Sequence, residues 1–260
     1  MKQSLCHLIQ GNSPLVAAAI HDGHVVREEV AELLALEKHD RFREEDPYTR
    51  TWTIVADTRI IGLRSRFEVD LNRPRHQAVY HKPQQAWGLK VWKRQPPAEL
   101  VACSLAEYDA FYAEVYSLLA NLQQRFGHFV VFDLHSYNHR RGRPNAPPAD
   151  PADNPEVNIG TVSMDRQRWA PVVDRFISDL RRFDFLGRQL DVRENVRFKG
   201  GYFPKWVHHK FPESGCALAI EFKKFFMDEW SYEADHAQLK AIYRALQSTV
   251  PGVLEELQKL

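Results

Sequence analysis

The stretch Phe129-Val130-Val131-Phe132-Asp133-Leu134, running straight into His135-Ser136-Tyr137, decides the fold class. A short apolar run of this kind, with Gly127 before it and polar residues after it, is typical of a central strand buried on both faces. Ahead of it, Leu105, Tyr108, Tyr112, Val115, Leu119, Leu122 and Phe126 recur at three- and four-residue steps, which predicts a helix over 104–126. Ser104 and Glu107 form a capping-box pattern at its start, and Gly127 is a natural stop.

Two further runs resemble the first. Residues 14–20 (PLVAAAI) end in His21-Asp22-Gly23, and residues 217–222 (ALAIEF) carry Glu221 inside the run. Both predict buried strands. Between these markers the pattern predicts a helix over 26–36, on Val26, Val30, Leu33 and Leu34. Asp46-Pro47 reads as an N-cap with proline at the first helical position, opening a helix to about 56. Strands are expected at 58–63 and 67–71, a helix at 169–183, and a terminal helix at 234–247 that Pro251 ends. Residues 140–155, rich in Pro, Asp, Asn and Arg, form a long loop: either a lid that adds His139 or Arg140 to a pocket, or a surface excursion. Helices alternating with short apolar runs give an α/β fold, a mostly parallel sheet covered on both faces. No composition break divides the chain, so residues 1–260 are expected to form one domain.

Composition narrows the function. A formal net charge of +1 gives no global case for nucleic-acid binding. The arginine-rich segments at 73–76 and 139–143 lack interleaved aromatic residues, which also speaks against it. No run reaches the about 18 apolar residues of a membrane span. Residues 1–10 lack a signal-peptide pattern, and Cys6, Cys103 and Cys216 form no CxxC pair. Together these predict a soluble, cytoplasmic protein of open oligomeric state.

In open α/β sheets, sites gather beyond the carboxyl ends of the strands. His21 and His135 close two predicted strands, and Glu221 lies near the end of a third, so the three converge on one sheet edge. Imidazole and carboxylate are the ligand set of catalytic zinc. Each histidine alone also reads as a turn residue, and Glu221 as the wet face of an edge strand. Asn72-Arg73, just after the strand predicted at 67–71, can offer an amide and a bidentate guanidinium to a carboxylate, or can be a turn with an exposed arginine.

Here the motifs acquire a family. Val69-Asp70-Leu71-Asn72-Arg73 resembles the asparagine–arginine motif of zinc carboxypeptidases. Asp133-Leu134-His135-Ser136-Tyr137 resembles their strand-end histidine, and Ala219-Ile220-Glu221-Phe222 the strand bearing their general-base glutamate. A nearer resemblance is to the N-formylglutamate amidohydrolase family. It rests on His21-Asp22-Gly23, on Ser65-Arg66-Phe67 leading into Asp70-Leu71-Asn72-Arg73-Pro74, on Gly200-Gly201-Tyr202, and on 217–229 with Met227-Asp228-Glu229. It spans about residues 14–245.

That resemblance implies a three-layer α/β/α sandwich with a mixed, mostly parallel sheet, zinc carboxypeptidase-like (phosphorylase/hydrolase-like). It implies one Zn2+ per chain, or another divalent metal, held by His21, His135 and a carboxylate. The carboxylate maps to Glu44-Glu45-Asp46: Asp46 first, Glu45 second, with a mere helix cap as the rival reading of Asp46. Glu221 becomes the general base and Arg66 the cation beside the developing oxyanion. Asn72 and Arg73 become the binders of a small substrate's carboxylate, and Arg66 and Arg73 can exchange roles. The implied reaction is hydrolysis of an N-acyl amino acid, foremost N-formyl-L-glutamate. Alternatives are a zinc carboxypeptidase, a deacylase of another N-acyl amino acid, and an inactive anion-binding protein. Two stretches depart from the family pattern, Phe203 to Lys210 and Phe222-Lys223-Lys224, and both bear on the substrate rather than the fold.

Overall fold

The structure, a computed structural model, describes residues 5–260. Part of the stretch read above as lacking a signal peptide, residues 1–4, lies outside the described residues. The strands are β1 (Cys6–Ile9), β2 (Leu15–Ala19), β3 (Thr58–Gly62), β4 (Phe129–Tyr137), β5 (Val157–Gly160), β6 (Val192–Glu194) and β7 (Gly215–Lys223). The α-helices are α1 (Glu28–Ala31), α2 (Lys38–Glu44), α3 (Thr49–Trp52), α4 (Ala98–Phe126), α5 (Ala170–Arg182), α6 (Tyr202–Lys210) and α7 (His236–Leu257).

The strands form one seven-stranded mixed sheet in the order β1-β3-β2-β4-β7-β5-β6. Its centre, β3-β2-β4-β7, is parallel throughout, and antiparallel pairing occurs at β1-β3 and β7-β5. Alternation along the strands builds the layers. Val130, Phe132 and Leu134 of β4, with Leu218, Ile220 and Phe222 of β7, join the cluster under α5 and α7. Phe129 and Val131 of β4, with Ala217 of β7, join the cluster under α4 and α6. The result is the expected three-layer α/β/α sandwich. A third cluster, around Val30, Leu34, Phe67, Tyr80 and Trp92, packs the 23–92 segment on itself.

That third cluster explains two departures from the sequence reading. The helix expected at 26–36 is a single turn, α1, because the chain then turns so that Ala35 N–H reaches the Val91 carbonyl (2.8 Å). The stretch 67–71 is a series of turns rather than a strand. Phe67 faces the third cluster while Val69 and Leu71 face the α4 layer, so the alternation serves two cores at once.

Helix α4 begins at Ala98, and its Ser104 and Glu107 are not caps: Arg27 reaches Ser104 Oγ (2.6 Å), and Arg64 holds Glu107 by two bonds of 3.0 Å. Helix α7 passes through Pro251, which is exposed, as is Gln247 four residues earlier. The carbonyl left without a donor therefore lies on the solvent side of the helix. No helix among the described residues is long and apolar enough to cross a membrane.

Candidate active site

On the α4/α6 face the carboxyl ends of the central strands turn polar. Asp133 and His135 alternate along β4 on that face, and Glu221 of β7 pairs directly across from His135. His21 follows β2 by two residues. Asp46 sits on the irregular connector between α2 and α3, its N–H on the His21 carbonyl (3.0 Å). The expected helix cap is absent. Helix α3 starts at Thr49, and the Asp46 side chain turns to the histidines instead: Oδ2 is 2.8 Å from His135 Nδ1 and 3.5 Å from His21 Nδ1. The donor atoms of His21, Asp46 and His135 lie within 4.8 Å of one another, and all three residues are buried. Glu45, the second choice, points away and is held by His24 (2.5 Å) and the Ser65 hydroxyl.

The far side of each imidazole says what the near side can hold. Asp70 takes His21 Nε2 at 2.7 Å, and Asp133 Oδ2 lies 3.0 Å from His135 Nε2. With its ring proton drawn to Nε2 by Asp70, a neutral His21 turns its Nδ1 lone pair towards the Asp46 carboxylate, and a neutral His135 does the same when its proton sits at Nε2 beside Asp133. Acceptor would then face acceptor, which requires a cation between them, either a metal ion or the rings' own second protons. The electrostatics of the buried groups makes the same demand. Burial alone would raise the Asp46 carboxyl, but hydrogen bonds from His135 and His21 hold it well below the usual range. Burial alone would lower His135, yet Asp133 and Asp46 hold it well above 6.5. The Asp133 contact lies off the hydrogen-bond line, and neither of its oxygens has a hydrogen-bond partner among the described residues. A buried anion so placed also calls for positive charge nearby. The donor set therefore fits a divalent metal.

Glu221 stands beside this group, enclosed by protein except towards the cleft. Burial pushes its carboxyl up to about 7; His135 opposes the rise, and Asp46 and Asp133 add to it. Asp70 connects the metal-type cluster to the cations. Besides His21 it takes Arg66 Nη2 (3.0 Å), the Tyr80 hydroxyl and the Asn72 N–H (2.8 Å). Burial opposes its ionisation, but Arg66 and His21 win and hold its carboxyl well below the usual range. Arg66 also lies over the Trp87 ring, 4.7 Å from its centroid. Arg73 lines the cleft half-exposed, 3.8 Å from Asp70. Asn72 lines it too; its Oδ1 is engaged by the Phe203 N–H at the start of α6 (2.8 Å), and its NH2, 3.5 Å from His135 Nε2, is the end left to meet a ligand. Gly201 makes that contact possible, since a Cβ there would lie 2.2 Å from the Asn72 amide.

All seven residues singled out in the sequence line one cleft of 690 Å³. Other cleft residues escape a sequence reading. Trp87, Arg141 and Lys224 come from distant segments and carry no local signal. Asp133 does carry one, standing two residues before His135 and so on the same strand face. His139 and Arg140 do not line this cleft. Their N–H groups bind Glu229 (2.6 and 3.0 Å), and Arg141 faces the site instead, paired with Glu44 (3.0 Å).

Comparison with known proteins agrees with this architecture. The N-formylglutamate amidohydrolase family model matches residues 13–227. No curated protein matches the chain. Among solved structures, an N-formylglutamate amidohydrolase from Ralstonia eutropha JMP134 superposes with a TM-score of 0.75 at 16% identity, covering 99% of each chain. A gene product of Agrobacterium tumefaciens superposes with a TM-score of 0.68 at 17% identity, covering 96% of this chain and 95% of that one. At such identities these two likenesses speak to the fold alone; the family match, spanning most of the sequence, goes further, and the chain belongs to the N-formylglutamate amidohydrolase family, a family of hydrolases.

Proposed function

We propose that this chain is a metal-dependent amidohydrolase, acting as a single domain over 1–260, that cleaves N-formyl-L-glutamate to formate and glutamate. His21, Asp46 and His135 would hold one zinc ion, the metal that this ligand set most often takes when one position stays open. When bound, the metal supplies Lewis acidity, acidifying water and polarising the formyl carbonyl.

The rest is the work of the protein. Glu221 takes the proton of the attacking water and returns it to the amide nitrogen as the C–N bond breaks. Arg66, fixed by Asp70 and Tyr80, stabilises the charge that grows on the carbonyl oxygen. Arg73 and the NH2 of Asn72 bind the substrate carboxylate. The cysteine spacing supports a cytoplasmic enzyme.

The observation that carries this reading is the convergence of His21, Asp46 and His135 beside Glu221, which pairs across from His135. Elemental analysis of the purified chain tests it, with about one zinc per chain expected. Loss of that zinc in the His21→Ala/His135→Ala double variant is the second expectation. A chain that takes up no divalent metal when zinc is added sinks the reading. One observation favours a second reading, a deacylase of larger N-acyl amino acids. The cleft of 690 Å³ lies within the range of about 300–1,000 Å³ that holds drug-sized ligands, more room than a formyl group needs. Comparing turnover of N-formyl-, N-acetyl- and longer N-acyl-glutamates separates the two.

A further inference from the structure

Helix α2 ends at Glu44, and the chain from there to α3 has no regular hydrogen-bond ladder. Tyr48, two residues past Asp46, even adopts a left-handed backbone (φ 71°). Asp46 is thus presented by an irregular connector and stays in place only if point contacts hold it. One of these is buried and charged. Lys224 is 1% exposed, and its ammonium donates to the Arg43 carbonyl (2.6 Å) and the Glu45 carbonyl (2.8 Å). These are C-terminal helix carbonyls, which have no partner within the helix and favour a cation. The other end of the lysine is anchored just as firmly. Lys224 directly follows β7, and its N–H bonds the Tyr137 carbonyl at the end of β4 (3.0 Å). A single side chain therefore runs from the two strands that carry Glu221 and His135 to the residues on either side of Glu44, ending next to Asp46. The segment has other ties, the Asp46 N–H on the His21 carbonyl, Glu45 to His24 and Ser65, Arg141 to Glu44 and Arg43 over Trp230 (4.2 Å), but among these contacts only that of Lys224 starts from the end of β7.

We propose that Lys224 is a positioning residue for the metal centre: by holding the carbonyls of Arg43 and Glu45, it keeps the Asp46 carboxylate between His21 and His135. The proposal rests on the metal reading above. Removing the ammonium leaves two buried carbonyls without donors, and the connector relaxes away from the histidines. The loss falls on metal affinity first.

The test uses the full chain and its Lys224→Met, Lys224→Gln and Lys224→Arg variants, with zinc alone as the titrant and cobalt(II) as the spectroscopic probe. Lys224→Met should weaken zinc binding tenfold or more, with Lys224→Gln in between and Lys224→Arg close to the parent protein. The cobalt ligand-field bands should shift in Lys224→Met, and excess zinc should restore kcat with KM little changed. Parental zinc affinity and unshifted cobalt bands in Lys224→Met overturn the proposal, whatever happens to its Tm. A raised KM with unchanged zinc affinity also overturns it, making Lys224 a substrate contact. If Lys224→Met does not fold, the Gln and Arg variants carry the same comparison. Failure of the parent chain itself to bind zinc would strike the metal reading rather than Lys224, and the parent titration alone reveals it.

Discussion

The two faces of the same strands differ at their carboxyl ends. Towards α5 and α7, β4 stays apolar until Ser136 and β7 to Phe222: Leu134, Ile220 and Phe222 continue the packing begun by Val130 and Leu218. Towards α4 and α6, the apolar row stops at Val131 on β4 and at Ala219 on β7, and Asp133, His135 and Glu221 follow. Asp133 and His135 are buried and Glu221 opens only towards the cleft, so the polar row is not a wet surface. One face therefore holds the sheet to its helices, and the other gives up apolar contact for a charged cluster. A period of two is enough to separate structure from chemistry on a single strand.

The contrast can be broken in order of expected effect. Glu221→Gln, on the polar face, should lower kcat by about 10³–10⁴-fold and leave zinc stoichiometry unchanged, as steady-state kinetics and elemental analysis would report. Retained turnover would remove Glu221 from the reaction. Phe132→Ala, on the apolar face, should cost about 3–5 kcal/mol in denaturant unfolding, while the folded fraction binds zinc as before. A loss of zinc without a loss of stability would mean the faces are not separate.

His208 sharpens the comparison from within the α4/α6 layer. It is buried on α6, accepts the Ala217 N–H at Nε2 (3.0 Å) and meets Ser163 Oγ at Nδ1 (2.9 Å). Burial lowers it to about 4, and only the Ser163 backbone opposes this. The folded protein thus keeps it neutral where the unfolded chain, near 6.5, takes up a proton. Its contribution is complete above pH 6.5 and is lost as pH falls to about 4, a change of up to about 3 kcal/mol. Between pH 7 and pH 4.5 the unfolding free energy should fall less steeply in His208→Gln; equal slopes would refute the assignment. The smallest effect is expected from Asp133→Asn, which should weaken zinc binding by about 10–100-fold without unfolding the chain, as competition with a chelator would measure. An unchanged affinity would leave Asp133 as an orphan carboxylate with no link to the centre.

Much of this contrast is legible in the sequence. The strands β2, β4 and β7 stand out as apolar runs because a central strand is buried on both faces. His21, His135 and Glu221 stand out because they interrupt or end those runs. Asp46 is legible only through the family resemblance, since a helix cap explains the same Asp-Pro pair, and its true contacts are with residues far along the chain. Lys224, Trp87 and Arg141 are silent for the same reason: local sequence says nothing of a partner a hundred residues away. The false strand at 67–71 shows the opposite failure. There a genuine alternation comes from two neighbouring cores rather than from a pleat, and the segment's real organiser is the Asp70 carboxylate.

Asp70 touches His21 on one side and Arg66 on the other, so the placement of the one ring and the freedom of the other side chain depend on a shared partner. Any anion in the cleft that draws Arg66 towards itself competes with Asp70 and changes what His21 feels. If His21, Asp46 and His135 hold a metal as proposed, occupancy of the cleft and of that position are thermodynamically linked, and reciprocity makes each shift the affinity of the other by the same factor. A product or inhibitor would register at the metal even without touching it.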